Sequence, residues 1–476
     1  MSIANKKFIS HKLNQLKKSL LLYSFDFRKF NLTFYIVIIL LIQSKITMKT
    51  SIAKVLLVST FVFSASFGLI SAKTNPTKVI IKNLSDTVLI DQQFVLNRKE
   101  LNFTNTTLLP ALQDAKGNWV PTQIDDMDGD GKWDELAFLL TLKKAEKKFL
   151  SIKWISAKQY PTFNRRANIR YGKMVSPGKV IELTKDSHGK NDLRGTFGYP
   201  YQMDGIAWEN DKMGFRHYFD GRNCRDLFGK KTDKMVLDKV GIKPDGCPGD
   251  TYHVMADWGR DIMSVGQSFG LGGLALLQND TLVRLGIVAN QTVDIIDSTR
   301  FTLINKGVVR GIFRIDFEGW NIGKSKINLA QIVTIWGGSY GYENRVICTK
   351  IPAGCAFVTG IVHNNNNQPF VSKTFYNQQA MITHDKQSYN KEFTIGMCLL
   401  TPNENFVKSF DTPATGNGII YTWCAQLKPD VHNAIKFNVL AAWEQQNSAF
   451  LDSTFFVKTM KYEALKISKP VLVELK

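Results

Sequence analysis

The chain is 476 residues long and 44% apolar, enough for two or three average domains or one large β architecture with a sizeable core. Its formal net charge is +20, from 61 Lys and Arg against 41 Asp and Glu. That balance favours acidic partners, but no run of like charges marks a nucleic-acid arm, and there is no GxGxxG after a strand, no P-loop and no βαβ rhythm to support nucleotide chemistry.

Residues 48–72, MKTSIAKVLLVSTFVFSASFGLISA, place Lys49 and Lys54 ahead of an apolar run from Val55 to Ile70 that closes on small residues. This is the layout of a secretory signal peptide, with cleavage expected after Ala72. Met48 is then a ready-made start, and residues 1–47 read as an over-extended N-terminus. Their apolar run from Phe34 to Ile42 falls short of the roughly 20 residues that cross a bilayer. Residues 1–72 carry ten Lys and Arg against Asp26 alone, which leaves +11 on the rest. For a periplasmic or secreted protein the fitting acidic partner is an anionic polysaccharide rather than nucleic acid, and no integral membrane association is expected after cleavage. All six cysteines follow the signal, where disulfides are permitted: Cys348 and Cys355 flank a short turn, and Cys224 with Cys247 could staple the segment between them.

From Val79 onward, β-branched and aromatic runs such as VIIKNLSDTVLI, FLSIKWIS, GIFRIDFEGW and KINLAQIVTIW alternate with Gly, Asn, Asp and Lys, which predicts an all-β body. No fixed-period repeat supports a propeller or solenoid, so stacked antiparallel sheets are expected. The division is a smaller N-terminal β module over residues 73–160 and a long sandwich over 170–476. Phe456, Met460 and Ala464, at four-residue spacing, predict one helix over Ser453–Leu465.

Within the N-terminal module, DDMDGDGKWDEL sets Asp126, Asp128, Asp130, Gly131 and Asp134 at the DxDxDGxxD offsets of calcium loops, where alternate oxygens converge on one hard cation. The acid that closes an EF-hand shell would fall at Ala137, so Asp134 or Glu135 must substitute. The expectation is a structural calcium ion, with no cofactor for catalysis; the competing reading is an acidic turn held by Asx hydrogen bonds.

The densest chemistry lies between Trp208 and Gly273. If residues 213–220 form a strand, Met213, Phe215, His217 and Phe219 share one face and Arg216, Tyr218 and Asp220 the other. His217 then belongs to the core, while Arg216 and Tyr218 have room to meet a ligand. Further on, TYHVMADWGRD supplies His253, Asp257, Trp258, Arg260 and Asp261. His253 is the first choice for proton transfer, because a histidine titrates near neutrality and a flanking Asp can fix its tautomer. There is no GxSxG elbow and no HExxH, which lowers serine-hydrolase and zinc-peptidase readings; paired carboxylates for glycoside hydrolysis stay open. Tyr, His and several Arg suit elimination β to a uronate carboxylate. In that reaction Arg neutralises the carboxylate, one group takes the acidified proton and another protonates the departing oxygen.

The stretches WEND, GFRHYFDGRN, DLFGKKTD, YHVMADWGRDIMSVG and GLGG, with DDMDGDGKWDELAF upstream, resemble a secreted bacterial family of unknown function (DUF4861-like) found in polysaccharide-degradation loci. The resemblance implies a galactose-mutarotase-like β-supersandwich. It also implies a dehydratase that eliminates water from the non-reducing-end uronate of ulvan-like oligosaccharides to leave a 4,5-unsaturated end. Carried onto this chain, the motif positions are Arg216, Tyr218, Arg222, His253, Asp257 and Arg260, with His253 and Tyr218 as catalytic groups and Arg216, Arg222, Asp257, Trp258 and Arg260 on the substrate. The alternatives are a non-catalytic carbohydrate-binding or mutarotase-like protein, or a glycoside hydrolase.

Overall fold

The computed structural model describes residues 77–102, 107–190, 200–219, 221–286, 296–348, 350–366, 368–416, 418–432 and 434–476. The signal sequence expected at 48–72, the residues before it, and Asp220 lie outside them. The described chain is β throughout, with one long helix near its end.

A nine-stranded antiparallel sheet forms one layer. It runs from Lys185–Gly189 at one edge through Ser298–Lys306, Arg310–Ile322, Ser325–Trp336, Gly341–Cys348, Ala434–Trp443, Ile395–Pro402 and Gln378–Asp385 to Val371–Phe375. Two five-stranded sheets share a core with it. One is built on Gly205–Asn210, Met213–Tyr218 and Arg225–Lys230, the other on Ala275–Gln278, Cys355–Val362 and Thr422–Leu427. The core takes Phe313, Trp320 and Phe437 from the large sheet, Trp208 and Phe215 from the first small sheet, and Phe357 and Trp423 from the second. Such stacking is why each strand must alternate, and Gly341–Cys348 does so almost without a break.

The N-terminal strands form a five-stranded and a three-stranded sheet around a separate core that includes Val79, Leu112, Trp133, Phe138 and Leu150. That module is not contiguous in sequence: Val471–Leu475 pairs antiparallel with Lys78–Asn83, Val79 facing Leu475. The helix spans Ser453–Ile467, two residues beyond the predicted end. It is capped by Asp452, whose carboxylate accepts the Thr454 N–H, and it buries Phe456, Met460 and Ala464.

The cysteine pairings do not form. None of the six cysteines is in a disulfide. Cys224 lies in the core, its Sγ 2.8 Å from Arg284 Nη1 and 3.3 Å from the Ser268 carbonyl, whereas the Cys247 Sγ accepts the Gly178 N–H.

The strand Met213–Tyr218 carries Met213, Phe215 and His217 toward the main core as the alternation requires. His217 is buried, its Nε2 3.1 Å from Asn223 Oδ1, and burial together with the Arg225 charge holds it neutral. The opposite face departs from expectation. Instead of opening to solvent it is roofed by residues 231–258, so that Phe228 packs against Met203, Leu237, Val240 and Tyr252. A buried ion pair pins the start of this roof: Lys230 Nζ lies 2.6 Å from Glu209, whose other oxygen accepts the N–H groups of Val236 and Leu237 at 2.7 and 2.8 Å.

Candidate active site

Register assembles the site under that roof. Arg216 faces Asp226 across one strand pair, and Phe228, two residues on from Asp226, faces Asp261 across the next. Directly opposed residues share a face, so one arginine and two carboxylates point the same way, joined by Tyr218 two positions along from Arg216.

The Arg216 guanidinium is fully buried. Its Nη2 contacts Asp226, the Tyr218 hydroxyl and Asp261 Oδ2, the last at 2.8 Å, while Nη1 lies 3.5 Å from Asp204. The rings of Tyr218, Tyr252 and Phe228 close around it with centroids 4.3, 4.8 and 5.1 Å away. Burial works against this cation, but Tyr218, Asp226 and Asp261 outweigh it and hold the charge in place. Arg216 is therefore an internal tie and not a group on the open face. It has no exposed surface with which to meet a ligand.

Tyr218 donates its hydroxyl to Asp226 Oδ2 at 2.7 Å. Burial, and the Asp226 and Asp261 charges over the opposing pull of Arg216, raise its phenol far above the usual range, so it stays protonated. Asp261 is pushed up to about 8 by burial and by Asp226 beside it, against the weaker pull of Arg216. An unfolded aspartate ionises near 3.9; between there and about 8 the folded chain holds the extra proton, so stability falls as pH rises through that window. Asp261→Asn should flatten this dependence, read as urea midpoints that differ less between pH 5 and pH 8 than those of the parent chain.

Around the buried tie stand the groups that reach the surface. Arg222 lies over the Tyr218 ring at 4.2 Å. His253, in the short 3-10 turn Thr251–His253, is half exposed, with Nδ1 3.8 Å from Asp261 Oδ2 and its ring 4.8 Å from that of Tyr252. The Tyr252 hydroxyl is within hydrogen-bond distance of Asp204 and Asp250. The structure thus brings together Arg216, Tyr218, Arg222 and His253. It does not bring Asp257, which is exposed at the tip of the hairpin turn 256–259, where Gly259 adopts φ +131°. Trp258, beside it, ends the roof and packs edge-on to Phe228. Arg260 is engaged by Glu392 at 3.1 Å and by the Asp261 carbonyl.

Asp204, Asp226 and Tyr252 complete the cluster and were not among the predicted site residues. The signal for Asp226 was available in the hairpin: pairing the two strands about their six-residue connection sets it opposite Arg216. Asp204 offers no such local cue.

The acidic turn is a separate feature. Ligand oxygens of Asp126, Asp128 and Asp130 lie within 4.8 Å of one another. Asp126 also accepts the Gly129 and Gly131 N–H groups at 2.8 Å, and Asp134 accepts those of Met127 and Asp128, so Asp134 is directed at the loop backbone and not at the other three. Three carboxylates fit a hard cation, with the remaining oxygens left to carbonyls or water.

No curated protein matches the sequence. Among solved structures, a glycosyl hydrolase family 38 protein from Enterococcus faecalis is similar at 10% identity and a TM-score of 0.42, over 85% of this chain and 48% of that one. An alpha-mannosidase from Enterococcus faecalis V583 is similar at 10% identity and 0.41, over 88% and 48%. The chain therefore spans about half the length of these two proteins. Residues 81–473 match a family described only as a domain of unknown function, and the chain belongs to that family, DUF4861.

Proposed function

We propose that the cluster around Tyr218 and His253 is the active site of a carbon–oxygen lyase that removes water from the non-reducing-end uronate of acidic, ulvan-like oligosaccharides. The observation that carries this reading is the juxtaposition of a surface cation, Arg222, with a phenol kept protonated, Tyr218, and a half-exposed imidazole, His253, over one buried charge tie. Arg222 neutralises the uronate carboxylate, which acidifies the C5–H bond. His253 takes that proton, the C–H electron pair forms the C4=C5 double bond, and the C4–O bond breaks with the Tyr218 proton moving to the departing oxygen. Solvent then returns the proton from His253 to Tyr218. Arg216 acts through Tyr218 as a positioning residue.

Incubation with saturated ulvan oligosaccharides should give products of unchanged length, lighter by one water, with the ultraviolet absorbance of the new unsaturated acid. Shorter products without new absorbance would replace this reading with glycoside hydrolysis, and binding without turnover would replace it with a carbohydrate-binding role. Arg222→Ala should raise KM and lower kcat/KM by about tenfold or more, the loss of one charge-assisted contact. The proposed setting is the periplasm or the medium, on the signal-like layout of residues 48–72.

Calcium is proposed as a structural ion of the acidic turn. Ca²⁺ at about 100 times its dissociation constant should stabilise the folded chain by about 2.7 kcal/mol, seen as a raised Tm. The Asp126→Asn, Asp128→Asn, Asp130→Asn triple variant should show no rise.

A further inference from the structure

A second cluster lies beside the first, and neither the predicted chemistry nor the proposed reaction uses it. Asp186 and His188 sit two residues apart on the edge strand Lys185–Gly189 and so share a face. Tyr171 and Tyr201 approach from the other side, their rings stacked at 5.1 Å and 6° with both hydroxyls on the same carboxylate. Asp186 Oδ2 is 2.8 Å from the Tyr171 hydroxyl, 2.9 Å from His188 Nε2 and 3.1 Å from the Tyr201 hydroxyl, and Tyr171 Oη is 3.0 Å from His188 Nε2. Two phenols and an imidazole thus converge on a single carboxylate oxygen. Tyr171, Tyr201 and His188 are each no more than 5% exposed, and Phe219 and Phe301 wall the cluster edge-on.

We propose that Asp186, His188, Tyr171 and Tyr201 form a binding site for a transition-metal cation, bound through three oxygens and one imidazole nitrogen. First-row ions hold O and N ligands at about 2.0–2.2 Å, and in octahedral geometry adjacent ligands are then separated by about 2.8–3.1 Å. The four separations in the cluster fall in that interval. Asp186 Oδ2, Tyr171 Oη and His188 Nε2, with all three mutual distances between 2.8 and 3.0 Å, outline one triangular face.

Charge agrees with this assignment. With both phenols ionised by the metal, three negative charges would face the one ammonium of Lys173, which lies over the Tyr201 ring at 5.2 Å, and a divalent ion balances the remainder. On binding, each phenol proton leaves to solvent as its oxygen lone pair bonds the metal, and the His188 ring proton moves from Nε2 to Nδ1 so that the Nε2 lone pair is free, with no change in oxidation state.

The test uses the chain from Lys73 onward, the product of the expected cleavage, with two probes, ferric nitrilotriacetate and cobalt(II) chloride, and needs no turnover, so it is independent of the proposed lyase activity. The expected result is saturation at one ion per chain, seen as a phenolate-to-iron charge-transfer band in the visible or as cobalt d–d bands. Asp186→Asn and His188→Gln should each weaken binding at least tenfold, and Tyr201→Phe should diminish the iron band. The triple Asn variant of the acidic turn should bind as the parent does. A parent chain that develops neither signature overturns the proposal, as does binding that survives both Asp186→Asn and His188→Gln. If either of those variants fails to fold, Tyr171→Phe and Tyr201→Phe decide by the loss or persistence of the iron band.

Discussion

Arg216→Met is expected to destabilise the fold by about 3–5 kcal/mol at neutral pH, the range for breaking a buried charge network from one side. The methionine fills much of the arginine's volume, so the loss is electrostatic: Asp226 and Asp261 are left facing one another without their shared cation. The Asp261 carboxyl is then still harder to ionise than in the parent chain. Protons taken up by the folded state alone stabilise it, so the variant should recover stability as pH falls toward 5, where the parent recovers less. Urea denaturation at pH 5 and pH 8 separates this from a packing defect, which would cost the same at both.

The second large effect concerns His253. On the proposed reaction, His253→Gln should lower kcat by about 10²–10⁴, the usual contribution of a positioned base, with KM changed no more than about threefold. Its side chain is half exposed and belongs to no core cluster, so the Tm should stay within about 2 °C of the parent's, as for a surface substitution. A variant that retains most of its turnover would move the base elsewhere in the cluster. Together the two substitutions separate the structural centre of the site from its chemical edge: one should weaken the fold, the other should leave it stable and slow.

The sequence revealed strands and faces well, because period-two alternation is local. The β body, the terminal helix and the inward turn of His217 all follow from side chains within a few residues of each other. What it could not reveal was the roof. Residues 231–258 are rich in Lys, Asp and Gly, yet Glu209 and Lys230 anchor their start and Val236, Leu237, Val240 and Tyr252 seal Phe228 beneath them. That covering converts Arg216 from a surface cation into an internal one and changes what it can do. Nor does local pattern reveal Asp204 beside Arg216, or Tyr171 and Tyr201 beside Asp186, since those meetings depend on how separate segments fold back on one another.

The pairing of Val471–Leu475 with Lys78–Asn83 has a bearing on how the chain reaches its native state. In a polypeptide that emerges from a ribosome or a translocation channel N-terminus first, one edge of the Lys78–Asn83 strand can pair early with Lys147–Ser156, but the other stays open for almost four hundred residues until Val471–Leu475 arrives. Closing so long a loop is slow, and an open strand edge of this kind is an aggregation hazard meanwhile. The early module must wait, incomplete, for the last strand to be delivered. A C-terminal truncation of even six residues should therefore act less like the loss of a tail than like the loss of the latch that ends folding.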